Sequence, residues 1–204
     1  MATLAGSEYV FKKGSSPRTL LLLHGTGGDE NNLLSLAEEL DSSANVLSPR
    51  GQVVEDGMLR FFKRESPGVF DERDLAFRTN ELSAFVDAAA AERDLDASQI
   101  VGVGYSNGAN ILLRLIFQKS LMGAMLLRPM SAALLKSAEN HDLNQVPVFI
   151  ASGIVDEMIP AQDYRSIVAA LESANSLVTT HTSEAGHRLT QSDIDAARGW
   201  LSAI

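Results

Sequence analysis

Gly104-Tyr105-Ser106-Asn107-Gly108 sets a serine between two glycines, directly after the apolar run Ile100-Val101-Gly102-Val103 and before another across residues 109–117. A Gly-x-Ser-x-Gly at a strand-to-helix junction is a nucleophile elbow, a sharp and strained turn that holds the serine Oγ above the sheet. The glycines are a steric requirement, because a Cβ at either place meets the neighbouring strand or helix where the chain folds back. A serine hydroxyl is a weak nucleophile by itself. It needs a base beside it, and the base needs an orienting group.

On an elbow of this kind the partners follow in the order serine, acid, histidine. The apolar run Val148-Phe149-Ile150-Ala151 leads into Ser152-Gly153-Ile154-Val155-Asp156-Glu157-Met158-Ile159-Pro160. An aspartate just past a strand's carboxyl end fits the acid, so Asp156 is the candidate. Of its rivals, Glu157 should point away in an extended loop. Asp163 should sit in the first turn of the next helix, where an acid favours the dipole. Four histidines are available. His24 precedes any nucleophile and is expected to shape a loop, His141 lies in a polar stretch and reads as a solvated loop residue, and His181 falls inside an alternating strand-like run. His187, in Glu184-Ala185-Gly186-His187 just before the terminal helix, is where the base belongs. The remaining part is a pair of N–H donors for a developing oxyanion. The backbone N–H of Asn107 starts the helix after the elbow. The N–H of Thr26, in the loop Gly25-Thr26-Gly27-Gly28 after the run Leu20-Leu21-Leu22-Leu23, is the second candidate. That loop lacks the Lys-Ser/Thr of a P-loop, and the dinucleotide fingerprint is absent.

Holding these residues requires strands near 8–11, 19–24, 45–48, 99–104, 123–127, 147–152 and 177–182, with helices near 29–40, 75–93, 107–119, 162–174 and 190–203. Alternation of this kind predicts an α/β fold, a mostly parallel central sheet with helices on both faces and the site at the strands' carboxyl ends. With 204 residues the chain fits one domain over 1–204. Residues 50–74 form a connection far longer than the usual ~4–6 residues. Its aromatics argue for burial, and it departs from a strand's carboxyl end, so Phe61 and Phe62 are expected in a substrate pocket together with Met130 and Met158. Arg60, Lys63 and Arg64 could receive an acidic group of a substrate. Pairing with Glu55, Asp56, Glu65, Asp71 and Glu72 is the reading preferred for them.

The chain has no cysteine, which excludes disulfides, a thiol nucleophile and thiolate zinc, and its histidines show no metal-ligand spacing. No metal and no cofactor are expected. The net charge of −9 argues against nucleic acid or a stable association with anionic membrane, both of which demand a basic face. Residues 1–11 lack the apolar core of a signal peptide, so a cytoplasmic protein is expected.

The His-Gly-x-Gly-type loop at 24–28, the elbow at 104–108, the Gly-x-x-Asp-x-x-Ile-Pro at 153–160 and Gly186-His187 together resemble the small, lidless serine esterases of the carboxylesterase/phospholipase family. That family includes acyl-protein thioesterases, and the resemblance covers essentially the whole chain. Gly-Tyr-Ser-Asn-Gly-Ala-Asn, Pro49-Arg50-Gly51 and Arg60-Phe61-Phe62 look closest to a bacterial branch described as hydroquinone-associated esterases. Eukaryotic thioesterase members carry glutamine after the serine, where this chain has Asn107. The resemblance implies an α/β-hydrolase fold without a lid domain, and a serine hydrolase for small-molecule esters. Small or compact acyl groups are expected because a chain of 204 residues is too short for a covering insertion and residues 50–74 alternate aromatics with charges. Alternatives are a thioesterase or lysophospholipase with the same triad, and a ligand-binding homologue without turnover. Related enzymes are often dimers, so the resemblance also makes a homodimer an expectation.

Overall fold

The computed structural model describes residues 2–4, 6–66, 68–130 and 142–204. His141, read above as a solvated loop residue, lies outside the described residues. In chain order the strands are β1 (Ala2–Leu4), β2 (Ser7–Lys12), β3 (Thr19–Leu23), β4 (Asn45–Pro49), β5 (Val53–Glu55), β6 (Met58–Arg60), β7 (Arg64–Ser66), β8 (Val69–Phe70), β9 (Ile100–Tyr105), β10 (Gly123–Leu127), β11 (Pro147–Gly153) and β12 (Leu177–Ser183). The helices are α1 (Leu34–Asp41), α2 (Glu72–Arg93), α3 (Asn107–Leu115), α4 (Ala161–Ser173) and α5 (Gln191–Leu201).

Eight strands make one sheet in the order β1-β2-β4-β3-β9-β10-β11-β12. Every pairing from β4 across to β12 is parallel, and the two at the β1 edge are antiparallel. Because side chains alternate along a strand, the near-continuous leucines of β3 serve both faces. Leu21 and Leu23 pack with Leu82, Phe85, Leu112 and Leu171 of α2, α3 and α4. Leu20 and Leu22 pack with Leu36, Leu40, Ala197 and Trp200 of α1 and α5. This is why the strands read as solid apolar runs, as expected for a sheet covered on both sides.

β9 shows how the elbow's helix gets so close. Val101 and Val103 face α1 and α5, while glycines occupy the alternate places. A Cβ on Gly102 would lie 2.4 Å from Leu112 Cδ1, so α3 packs directly on strand backbone there. Overpacking of that kind costs ~1–3 kcal/mol.

α1 begins at Leu34, later than the apolar spacing predicts. The Asp29 carboxylate takes the Asn31 N–H at 2.8 Å, and the Asp29 carbonyl takes the Asn32 N–H at 3.1 Å. These local bonds compete with helix and hold residues 30–33 as a turn. α2 starts early at Glu72 because Asp71 caps it, accepting from the Arg73 and Asp74 N–H groups. Residues 50–74, read as one long connection, hold two short antiparallel hairpins, β5–β6 and β7–β8. No helix among the described residues is long and apolar enough to cross a membrane.

Candidate active site

Ser106 caps β9 with φ 52° and ψ −113°, in the left-handed half of backbone space where a non-glycine residue is strained. Its neighbours enforce this conformation. The Ser106 N–H donates to Leu127 O at 2.9 Å, and its carbonyl accepts the Asn110 N–H at 3.1 Å. A Cβ on Gly108 would lie 2.0 Å from Leu23 O, and one on Gly104 would lie 2.5 Å from Gly108 O, so both glycines of the elbow are sterically required.

The structure brings the serine, the histidine and the aspartate together from three separate loops. His187 Nε2 lies 2.9 Å from Ser106 Oγ, and His187 Nδ1 lies 2.9 Å from Asp156 Oδ2. A carboxylate only accepts, so Nδ1 carries the proton and Nε2 is left to accept from the serine hydroxyl. The Asp156 side chain is 1% exposed, which keeps water from competing for its oxygens. Its Oδ1 accepts the Met158 N–H at 2.9 Å. Of the rival acids, Glu157 is exposed and Asp163 sits in the first turn of α4. His181 lies on β12 and contacts Ser192 Oγ at 2.9 Å.

His187 is held by residues that the sequence reading missed. Arg128 is fully buried and donates through Nε to Gly186 O at 3.2 Å and through Nη2 to Arg188 O at 3.2 Å, so one guanidinium brackets both sides of the histidine. Its charge meets Asp193 at 2.8 Å, and Ser183 Oγ adds a further contact at 3.1 Å. Burial acts to raise the Asp193 carboxyl, but bonds from Arg128 and Thr190 outweigh it and hold the group below its usual range. The Tyr105 hydroxyl donates to His187 O at 3.1 Å, and its ring lies 5.6 Å from the imidazole. Arg128→Met is expected to destabilise the fold by about 3–5 kcal/mol, because it strands a buried carboxylate. Urea unfolding checks this, and a cost below 1 kcal/mol contradicts the bracket.

Thr26 and Asn107 face the same cleft as Ser106 and His187, and among the described residues neither backbone N–H has an acceptor. The loop carrying Thr26 is tied down on both sides. His24 Nδ1–H donates to Gly25 O at 2.8 Å while its Nε2 accepts the Gly51 N–H at 2.9 Å. Burial lowers the pKa of His24, which favours the neutral ring that this pair of bonds needs. Arg60 Nη1 donates to Thr26 Oγ1 at 2.7 Å. The asparagine side chains of α3 fix the opposite walls, Asn107 Oδ1 accepting the Phe61 N–H at 2.7 Å and Asn110 Oδ1 the Met130 N–H at 2.8 Å.

The cleft over Ser106 has a volume of about 350 Å³. Met130 and Met158 line it, together with Met58 and Phe70. Phe61 and Phe62 do not, which corrects the sequence expectation. The chain turns inward after β6, Phe61 lies against the His24 ring at 4.7 Å, and Phe62 is wholly buried with its ring edge-on to Phe70 at 5.1 Å. Both belong to the core. Of the nearby acids Glu55 takes both arginines, at 2.6 Å from Arg64 and 3.5 Å from Arg60. A second hollow of about 370 Å³ lies beside Asp156 and the start of α4, but neither Ser106 nor His187 lines it.

Thr26 offers a direct test of the donor geometry. Thr26→Pro removes the N–H and is expected to cost about 3–4 kcal/mol of transition-state stabilisation. Thr26→Ser, which keeps both the N–H and the hydroxyl that Arg60 bonds, should stay within about threefold of the parent. Comparable kcat/KM in the proline and serine variants contradicts a backbone donor at this position.

Residues 5–204 match the phospholipase/carboxylesterase family. The chain is 42% identical over 195 residues to the MhqD protein of Bacillus subtilis (strain 168), covering 95% of this chain and 96% of that protein. The Bacillus cereus carboxylesterase structure superposes with a TM-score of 0.92 at 45% identity, covering 97% of this chain and 94% of that one. A carboxylesterase from Mesorhizobium loti gives 0.83 at 28% identity, with 98% and 92% covered. The chain belongs to the phospholipase/carboxylesterase family and has the α/β-hydrolase fold.

Proposed function

We propose that the protein is a serine hydrolase that cleaves carboxylic esters of short or compact acyl groups through an acyl-enzyme. One observation carries the reading: the unbroken run from Ser106 Oγ to His187 Nε2 and from His187 Nδ1 to Asp156 Oδ2, at 2.9 Å in each step. Ser106 Oγ attacks the ester carbonyl while His187 Nε2 takes its proton. Asp156 holds the imidazole in the tautomer that can accept and stabilises the imidazolium that forms. The N–H groups of Thr26 and Asn107 receive the carbonyl oxygen as it becomes negative. His187 then returns the proton to the departing alkoxide. Water repeats the sequence on the acyl-serine and restores the free enzyme.

The preference for short acyl groups follows from the walls. A cleft of about 350 Å³ is near the small end of ligand sites, which run ~300–1,000 Å³. Its apolar surface comes from Met58, Phe70, Met130 and Met158, while Arg60 and Arg64 interrupt any long greasy stripe. Among 4-nitrophenyl acetate, butyrate, octanoate and palmitate, kcat/KM is expected to peak at the acetate or butyrate, without a jump at the micelle threshold. Palmitate as the best substrate contradicts the reading.

A further inference from the structure

We propose, building on the hydrolase reading above, that Arg60 and Arg64 form an anion-recognition site in the wall of the cleft. The preferred substrates are then esters that carry a carboxylate on their acyl or alcohol part.

The surplus of positive charge can be counted residue by residue. Among the described residues, two arginines line the cleft and share one carboxylate, Glu55. Glu55 is committed to Arg64: its Oε1 receives Arg64 Nη2 at 2.6 Å and Arg64 Nε at 2.7 Å, and its Oε2 receives the Arg64 N–H at 3.3 Å. Arg60 comes to the same carboxylate at 3.5 Å, through Nε. Its good bonds go to neutral acceptors, Nη1 to Thr26 Oγ1 at 2.7 Å and Nε to Phe62 O at 3.2 Å. Arg60 Nη2 makes no hydrogen bond among the described residues.

The surroundings make that charge matter. Arg60 is 4% exposed. Its pKa is lowered by burial first and by the neighbouring Arg64 charge second, with Glu55 opposing both. An arginine nevertheless stays protonated at neutral pH. A cation held in a cleft and only partly neutralised gains from an arriving anion, because charge-assisted bonds are roughly twice as strong as neutral ones. The site stands out against a chain of net charge −9, whose overall field does not favour anions. Through Thr26 it also adjoins the proposed oxyanion donor, so a carboxylate bound there lies beside the reacting ester. A purely structural role pins the 24–28 loop through Nη1, bonds Phe62 O through Nε and lays the guanidinium over the Phe62 ring at 6.0 Å, and it leaves Nη2 with no hydrogen-bond partner among the described residues.

The experiment compares matched pairs of esters. On the acyl side, 4-nitrophenyl hydrogen glutarate is set against 4-nitrophenyl valerate. On the alcohol side, 3-carboxyphenyl butyrate is set against phenyl butyrate. In the wild type, kcat/KM for the anionic member is expected to exceed that of its neutral partner by about tenfold in at least one pair, and the pair that responds tells which end carries the charge. The ratio should fall towards one in Arg60→Met and in Arg64→Met. Arg64 is the safer variant for folding, being the more exposed of the two. A wild-type ratio at or below one in both pairs overturns the proposal, as does a preference that both variants retain. Turnover of the neutral esters reports on the hydrolase reading separately. Should no ester be cleaved by folded protein, calorimetric titration of glutarate still decides the anion site: binding by the wild type that Arg64→Met loses supports it, and equal or absent binding overturns it.

Discussion

Ser106→Ala is expected to lower ester turnover by at least about a thousandfold, leaving only what binding and the oxyanion donors contribute. The fold should survive. The elbow is fixed by backbone bonds, Ser106 N–H to Leu127 O and Asn110 N–H to Ser106 O, which alanine keeps. Alanine meets the same φ of 52° that the serine already tolerates, so no new strain enters. Kinetics on 4-nitrophenyl butyrate alongside a urea melt check both halves. Retention of more than a tenth of the activity contradicts Ser106 as nucleophile.

Asp156→Asn is expected to reduce kcat by about ten-thousandfold with little change in KM. The asparagine amide can donate to Nδ1, which forces the proton onto Nε2 and leaves the serine without an acceptor. Asp163→Asn is the control. That residue sits in the first turn of α4, where its charge contributes about 0.3–1 kcal/mol through the helix dipole and does nothing for His187. If Asp163→Asn inactivates and Asp156→Asn does not, the acid has been misassigned despite the 2.9 Å contact.

Local signals made most of this architecture legible in the sequence. Leu20 to Leu23 and Val148 to Ala151 read as buried strands because both faces of the sheet are covered, so each position is apolar. The elbow glycines could be read from the turn alone, and the close backbone contacts explain them. Less legible were features set by long-range bonds. Arg128 and Asp193 meet across 65 positions, and no periodicity marks them. Two faint signals existed: an arginine directly after a wholly buried strand must find a partner, and Thr190 with Asp193 has capping-box spacing. The placement of Phe61 and Phe62 is hidden from the sequence for another reason. Between short hairpins no repeat tells which face is inward, and the Asn107 side chain, 46 positions away, draws the Phe61 backbone into the core. The sequence likewise gives no sign that Arg60, 34 positions away, bonds the Thr26 hydroxyl.

Ser106 is proposed as a nucleophile made reactive by His187. Treating the folded protein with a fluorophosphonate and mapping the adduct by peptide mass spectrometry tests it most directly. One adduct is expected, on the peptide containing Ser106, at a rate that collapses in His187→Ala. A folded protein that takes no label, or takes it on another serine while Ser106 stays unmodified, contradicts it.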